Sequence, residues 1–259
     1  MIQITSSKPG LQADRLLDEL GRPTPEDMSM EDIAWACGLV VKKAPMGGSE
    51  GRIIMNDRSG IITIKDTIDY QPKINYIIAH EIGHSRLHRN LRFFSENPKT
   101  LQEWYAHGLH EYEANRFAAE LLMPTGPFKK IVSKKNLSLK LVEQLSAYFG
   151  ASKTAVYLRY RDLGEFPVMI IFIENGKIKW KSESKDFPYK WLPIGAPVPP
   201  LTVAGDYFHH DIIENQPATV PASEWFPEDF RIQRGEDMQL WEECFPATRT
   251  SILTCLWTP

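Results

Sequence analysis

The stretch INYIIAHEIGHSRLH (residues 74–88) sets three histidines and a glutamate into a run of isoleucines otherwise suited to burial. Pro72 fits the first turn of a helix, and Ile74, Ile77, Ile78 and Ile82 then share one apolar face. His80, Glu81 and His84 form an H-E-x-x-H pattern on that helix. Residues four apart lie on nearly one face, so the two histidines can converge on one ion at zinc–nitrogen distances of about 2.0–2.1 Å. Glu81, one step round the helix, points beside the ion, where a general base for metal-acidified water belongs. The bland alternative is a helix with chance histidines. Its apolar flanks weaken that reading, because buried imidazoles need partners.

A catalytic zinc of this kind takes a third protein ligand and leaves one position open. Downstream, HEYEANRFAAELLMP (residues 110–124) carries Ala114, Phe117, Ala118, Leu121 and Leu122 at helical spacing, stopped by Pro124. At about 100° per residue, Glu111 lies roughly 50° from the centre of that stripe and Glu113 roughly 110°. Glu111 is the expected ligand; Glu113 is the fallback and should face water. Asn115 follows on the Glu111 side, where its amide can orient a ligand histidine. His88, one turn past His84, and Tyr76, Tyr105 and Tyr112 are candidates for contacts to substrate or to a developing oxyanion, with a structural role an equal alternative for His88. His107 and His110 are candidate substrate contacts, competing fourth ligands, or simply loop histidines. His209 and His210 are adjacent, cannot chelate as an i, i+4 pair, and take no role.

Working outward, 42% hydrophobic and 24% charged residues in a chain of 259 allow a sizeable core and two or three modules. A formal charge of -3 argues against a protein whose main business is coating nucleic acid. The charge is uneven: residues 126–164 hold eight Lys/Arg against two Asp/Glu, and residues 201–259 hold three against ten. Cys37, Cys244 and Cys255 are widely spaced with no C-x-x-C pair, which predicts free thiols in a reducing compartment. The N-terminus turns polar within a few residues, and no apolar run approaches the roughly 18 residues of a membrane span. The expectation is a soluble cytoplasmic protein with no membrane partner.

Residues 11–20 predict a helix closed by Gly21 and Pro23, and EDIAWACGLVV (residues 31–41) a helix running toward a strand. GRIIMNDRSGIITIKD (residues 51–66) reads as a hairpin about residues 56–60. RNLRFFSENPKTLQEW (residues 89–104) reads as loop, at least around Asn97 and Pro98. Two short helices follow, with Ser138 and Ser152 as N-caps and Gly150 and Gly164 at their ends. A second hairpin turns at residues 174–176, and RTSILTCLW (residues 249–257) predicts a strand.

With these residues in view, AHEIGHSRLH (residues 79–88) followed by EYEANRFAAELLMP (residues 111–124) resembles the ImmA/IrrE family of zinc metallopeptidases, over roughly residues 53–124. LVEQLSAYFGASKTAVYLRYRDLG (residues 141–164) is similar to the helical segment that follows in many members. The resemblance implies a gluzincin-like site: His80, His84 and the glutamate of an E-x-x-x-N step, here Glu111 to Asn115. It also implies an IrrE-type layout of peptidase, helix-turn-helix-like module and a C-terminal domain likened to GAF sensors. Characterised members cut helix-turn-helix repressors and so relieve repression in a stress or mobile-element response. A protein substrate of that class is the implied partner.

The expected fold is therefore α+β. A zincin-like metallopeptidase domain spans residues 1–125, a helix-turn-helix-like helical module 126–165, and a C-terminal α/β domain, GAF-like by resemblance, 166–259. Zinc is the expected cofactor, although histidine and carboxylate ligands also accept Mn²⁺ and Fe²⁺. An edge strand from RIIMND or IITIKD is a candidate for pairing with an extended substrate. Two alternatives compete. A DNA-binding regulator would use the basic helix pair, with nucleic acid a secondary partner. A metal-containing sensor or scaffold would hydrolyse nothing, a reading opposed by the presence of Glu81.

Overall fold

The computed structural model of the chain describes residues 8–56, 59–88, 93–95, 108–212 and 216–258. Helix α1 (Lys8–Glu19) ends where Gly21 takes a left-handed conformation, as the sequence predicts. Helix α2 (Met30–Ala36) opens on a capping box in which the Ser29 hydroxyl accepts from the Asp32 N–H and the Asp32 carboxylate accepts from the Ser29 N–H. Strand β1 (Leu39–Ala44) follows, then β2 (Gly51–Met55) and β3 (Gly60–Lys65), whose antiparallel pairing is the expected hairpin. Helix α3 (Gln71–Leu87) has Pro72 in its first turn, where the missing N–H costs nothing. All residues from Ile77 to His84 are buried, so this helix is enclosed on every side over two turns.

Strand β4 (Phe93–Ser95) stands where loop is expected and pairs antiparallel with β2. The sheet order is β1-β3-β2-β4, with β1 parallel to β3. This overturns one expectation. Among the described residues β2 and β3 each have a strand on both sides, so neither is free to pair with a substrate; β1 and β4 are the edges. Asn97 and Pro98 lie outside the described residues. Helix α4 (Leu109–Leu122) buries Ala114, Phe117, Ala118, Leu121 and Leu122 as its periodicity requires. It comes very close to α3 at Gly83, where a Cβ would lie 3.1 Å from Phe117 Cδ1 and 3.3 Å from Ala114 Cα. Helix α5 (Thr125–Val132) restarts directly after the Pro124 stop, the Glu120 carboxylate accepting from the Thr125 N–H at 2.7 Å.

Helices α6 (Leu139–Phe149) and α7 (Lys153–Leu163) match the two expected helices, and the Ser138 hydroxyl accepts from the Leu141 N–H. Val142, Leu145 and Val156 are buried. Strands β5 (Val168–Glu174) and β6 (Lys177–Glu183) form the second hairpin, with Asn175 and Gly176 both at positive φ in its turn. Helix α8 (Val203–His210), strand β7 (Ala218–Pro221), helices α9 (Ala222–Trp225) and α10 (Phe230–Gln233), and strands β8 (Gln239–Thr248) and β9 (Ser251–Trp257) complete the chain. Their sheet runs β6-β5-β9-β8-β7, antiparallel throughout, and all seven residues of β9 are buried. Fully buried Glu242 accepts from the first N–H groups of α8, at Val203 and Ala204, and from the Trp225 indole. Burial raises its pKa against those bonds.

The architecture is mixed α+β, with a sheet-rich C-terminal part. Two compact units are distinguished: Met1–Pro127 with Leu145–Ser152, and Phe128–Gln144 with Lys153–Pro259. The helical stretch 126–165 contributes to both.

Candidate metal centre

The two enclosed turns of α3 present His80, Glu81 and His84, all essentially inaccessible to solvent. Because Gly83 admits α4 so closely, Glu111 on its first turn reaches the same point. Its Oε2 lies 3.2 Å from His80 Nε2 and its Oε1 3.4 Å from His84 Nε2, while the two Nε2 atoms are 3.0 Å apart. Four-coordinate tetrahedral ligands at zinc distances stand about 3.3 Å from each other, so all three separations fit one ion.

Proton positions reinforce that fit. Asn115 Oδ1 lies 2.9 Å from His80 Nδ1 and also accepts from the Tyr76 hydroxyl. An amide oxygen only accepts, so His80 Nδ1 carries a proton and Nε2 of the neutral ring is a bare lone pair. That lone pair faces a carboxylate oxygen, Glu111 Oε2, which is buried and has no hydrogen-bond partner among the described residues. Two acceptors facing at 3.2 Å repel unless a proton or a metal cation stands between them. Burial pushes the His84 imidazole down to about 4, against the pull of Glu111. Burial also pushes the Glu111 carboxyl upward, but His80 and His84 outweigh it and hold it well below the usual carboxylate range. A neutral imidazole and an anionic carboxylate are the forms that ligate.

The neighbouring residues divide. His88, 6% exposed, places Nδ1 3.2 Å from His84 Nδ1 and Nε2 2.8 Å from Glu113 Oε2. Both of its ring nitrogens are therefore engaged within the chain. Glu113 is half-buried on this partner, and does not face water as its helical angle suggested. His110 stands edge-on to His88, with ring centroids 4.4 Å apart. The sequence reading missed this second cluster of His88, His110 and Glu113. The signal was available in the i, i+3 spacing of His110 and Glu113 opposite a histidine one turn past the motif. Tyr76 is turned to Asn115, and Tyr112 is 47% exposed on the outer side of α4. Tyr105 and His107 lie outside the described residues. His209 and His210 are exposed in the last turn of α8. No helix among the described residues is long and apolar enough to cross a membrane.

Residues 36–161 match the Peptidase_M78 family model, described as the IrrE N-terminal-like domain. Comparison with curated proteins gives no significant match. Among solved structures, the chain is similar to a Mycobacterium tuberculosis transcriptional regulator. The TM-score is 0.57 at 14% identity, covering 96% of this chain and 86% of that one, a likeness of fold. The matched segment contains the H-E-x-x-H helix, Glu111 and Asn115, and the chain therefore carries an IrrE N-terminal-like domain of the Peptidase_M78 family.

Proposed function

We propose that the protein is a zinc-dependent endopeptidase that cleaves a protein substrate, a helix-turn-helix repressor in the reading drawn from the family, and so relieves repression in a stress or mobile-element response. The observation that carries it is the convergence of His80 Nε2, His84 Nε2 and Glu111 Oε1 and Oε2 within 3.0–3.4 Å on the domain that matches a peptidase family. A divalent cation held there supplies Lewis acidity toward a peptide carbonyl and acidifies water. His80, His84 and Glu111 hold it, and Asn115 fixes the ring of His80. Glu81 takes the proton of the attacking water and later delivers it to the departing amine nitrogen. Zinc suits this donor set, and Mn²⁺ and Fe²⁺ are compatible with it. In this reading residues 1–125 carry the chemistry, 126–165 form a helical docking module and 166–259 a sensor-like domain.

The regulator alternative draws on the likeness to a transcriptional regulator and on the basic helix pair. Two of the arginines it would use are occupied elsewhere. Arg159 is buried, and Arg161 is paired with Asp162 and donates to Ser182. DNA binding is accordingly secondary. The test is incubation of the zinc-loaded chain with a helix-turn-helix repressor encoded beside it. Cleavage should be lost on chelation, restored by zinc, and reduced about 10²-fold or more in Glu81→Gln with zinc content unchanged. Cleavage that survives Glu81→Gln would sink the mechanism.

A further inference from the structure

The second donor cluster is built from His88, the C-cap of α3 one turn past His84, and from His110 and Glu113, which stand either side of Glu111 near the start of α4. His88 Nε2 is 2.8 Å and His110 Nδ1 4.0 Å from one oxygen, Glu113 Oε2, and the donor atoms of all three residues lie within 4.8 Å of one another. Tetrahedral ligands need about 3.3 Å between donors, so a shift of about 0.7 to 1.5 Å at His110 closes the site. That shift is available, because the His110 side chain is 54% exposed whereas His88 is buried. The exposure of His110 leaves the site open to solvent for the remaining ligand positions. The C-terminal end of α3 and the N-terminal end of α4 meet here, and their opposed dipoles largely cancel at the site.

This cluster is tied to the first by the 3.2 Å contact between His84 Nδ1 and His88 Nδ1. When His84 ligates through Nε2, its Nδ1 carries the proton and donates to His88 Nδ1. His88 Nε2 then carries its own proton and donates to Glu113. A cation on His88 Nε2 displaces that proton and forces it onto Nδ1, so two N–H groups face each other at the contact. One must turn away, and His84 loses the hydrogen bond that orients it. We infer that His88, Glu113 and His110 form a second, weaker site for an imidazole-preferring divalent cation such as zinc, and that filling it loosens the cation at the first. The coupling rests on the metal centre proposed above; the second site does not.

The test is zinc binding by the full chain at controlled free zinc, read by elemental analysis and by competition with a chromogenic chelator. Wild type should take up two zinc ions of unequal affinity, and His110→Ala one, with the tight affinity unchanged. Glu111→Ala should keep only the weaker zinc. Free zinc high enough to fill the second site should speed exchange of labelled zinc from the first by about 10- to 100-fold, the usual effect of losing an outer partner of a ligand histidine. Wild type saturating at one zinc, or His110→Ala retaining two, overturns the second site. An unchanged exchange rate overturns the coupling. If Glu111→Ala retains two zinc ions, the first-site reading falls and the second site stands.

Discussion

At the scale of single residues, the centre depends on which nitrogen of each imidazole carries its proton. Asn115 decides this for His80, since its oxygen accepts from both Nδ1 and the Tyr76 hydroxyl. Asn115→Ala should leave the ligands in place and lower zinc affinity about 10- to 100-fold, measured by chelator competition. Asn115→Asp keeps an acceptor and should recover most of the loss. An Asn115→Ala variant that binds zinc as tightly as wild type would remove Asn115 from the account. That Glu111 and Asn115 stand on the side of α4 turned to His80 was legible in the sequence, because both positions follow from angles on one helix. Glu113 was misjudged for the same reason. An angle measured from the apolar stripe of α4 takes no account of His88 arriving from α3.

At the scale of elements, the approach of α3 to α4 at Gly83 is the critical contact. Alanine there gains about 1 kcal/mol of helix propensity. It also puts a methyl 3.1 Å from buried Phe117 and 3.3 Å from the backbone of Ala114. Overpacking of this kind costs about 1–3 kcal/mol, so the clash should win. Gly83→Ala should lower stability in urea titration by up to about 2 kcal/mol. It should also weaken zinc binding, because α4 carries Glu111 one turn before the contact. The hairpins and long helices were legible from alternation, turn residues and periodicity. Strand β4 was not, since three residues are too few to show a period. Helix α5 was hidden behind Pro124, which stops one helix without forbidding another at the next residue.

For the whole molecule, each of the two compact units holds its own buried core, the first around α3 and α4, the second around β5 and β9. Calorimetry of the full chain should show two transitions. Zinc at about a thousand times its dissociation constant should add about 4 kcal/mol to the unit that contains His80, His84 and Glu111. Stripping the metal should lower that transition alone. A single transition, or one in which both midpoints move together, would contradict separate units. Chain length leads to an expectation of more than one module, but nothing local in the sequence tells that the helical stretch 126–165 is divided between two compact units. Burial partners across long sequence separations leave no local periodic trace.

Strand β9 has a bearing on biosynthesis. It is the latest of its five strands to be made, yet it lies between β5 and β8 and is covered on both faces. Until residues 251–257 have emerged and docked, the hairpin of β5 with β6 and the pair of β7 with β8 have nothing to join them. Each carries an open apolar edge. A chain in which that strand has not yet paired offers the open edges of β5 and β8 to chaperones and degradative machinery, whereas docking of one short strand seals both.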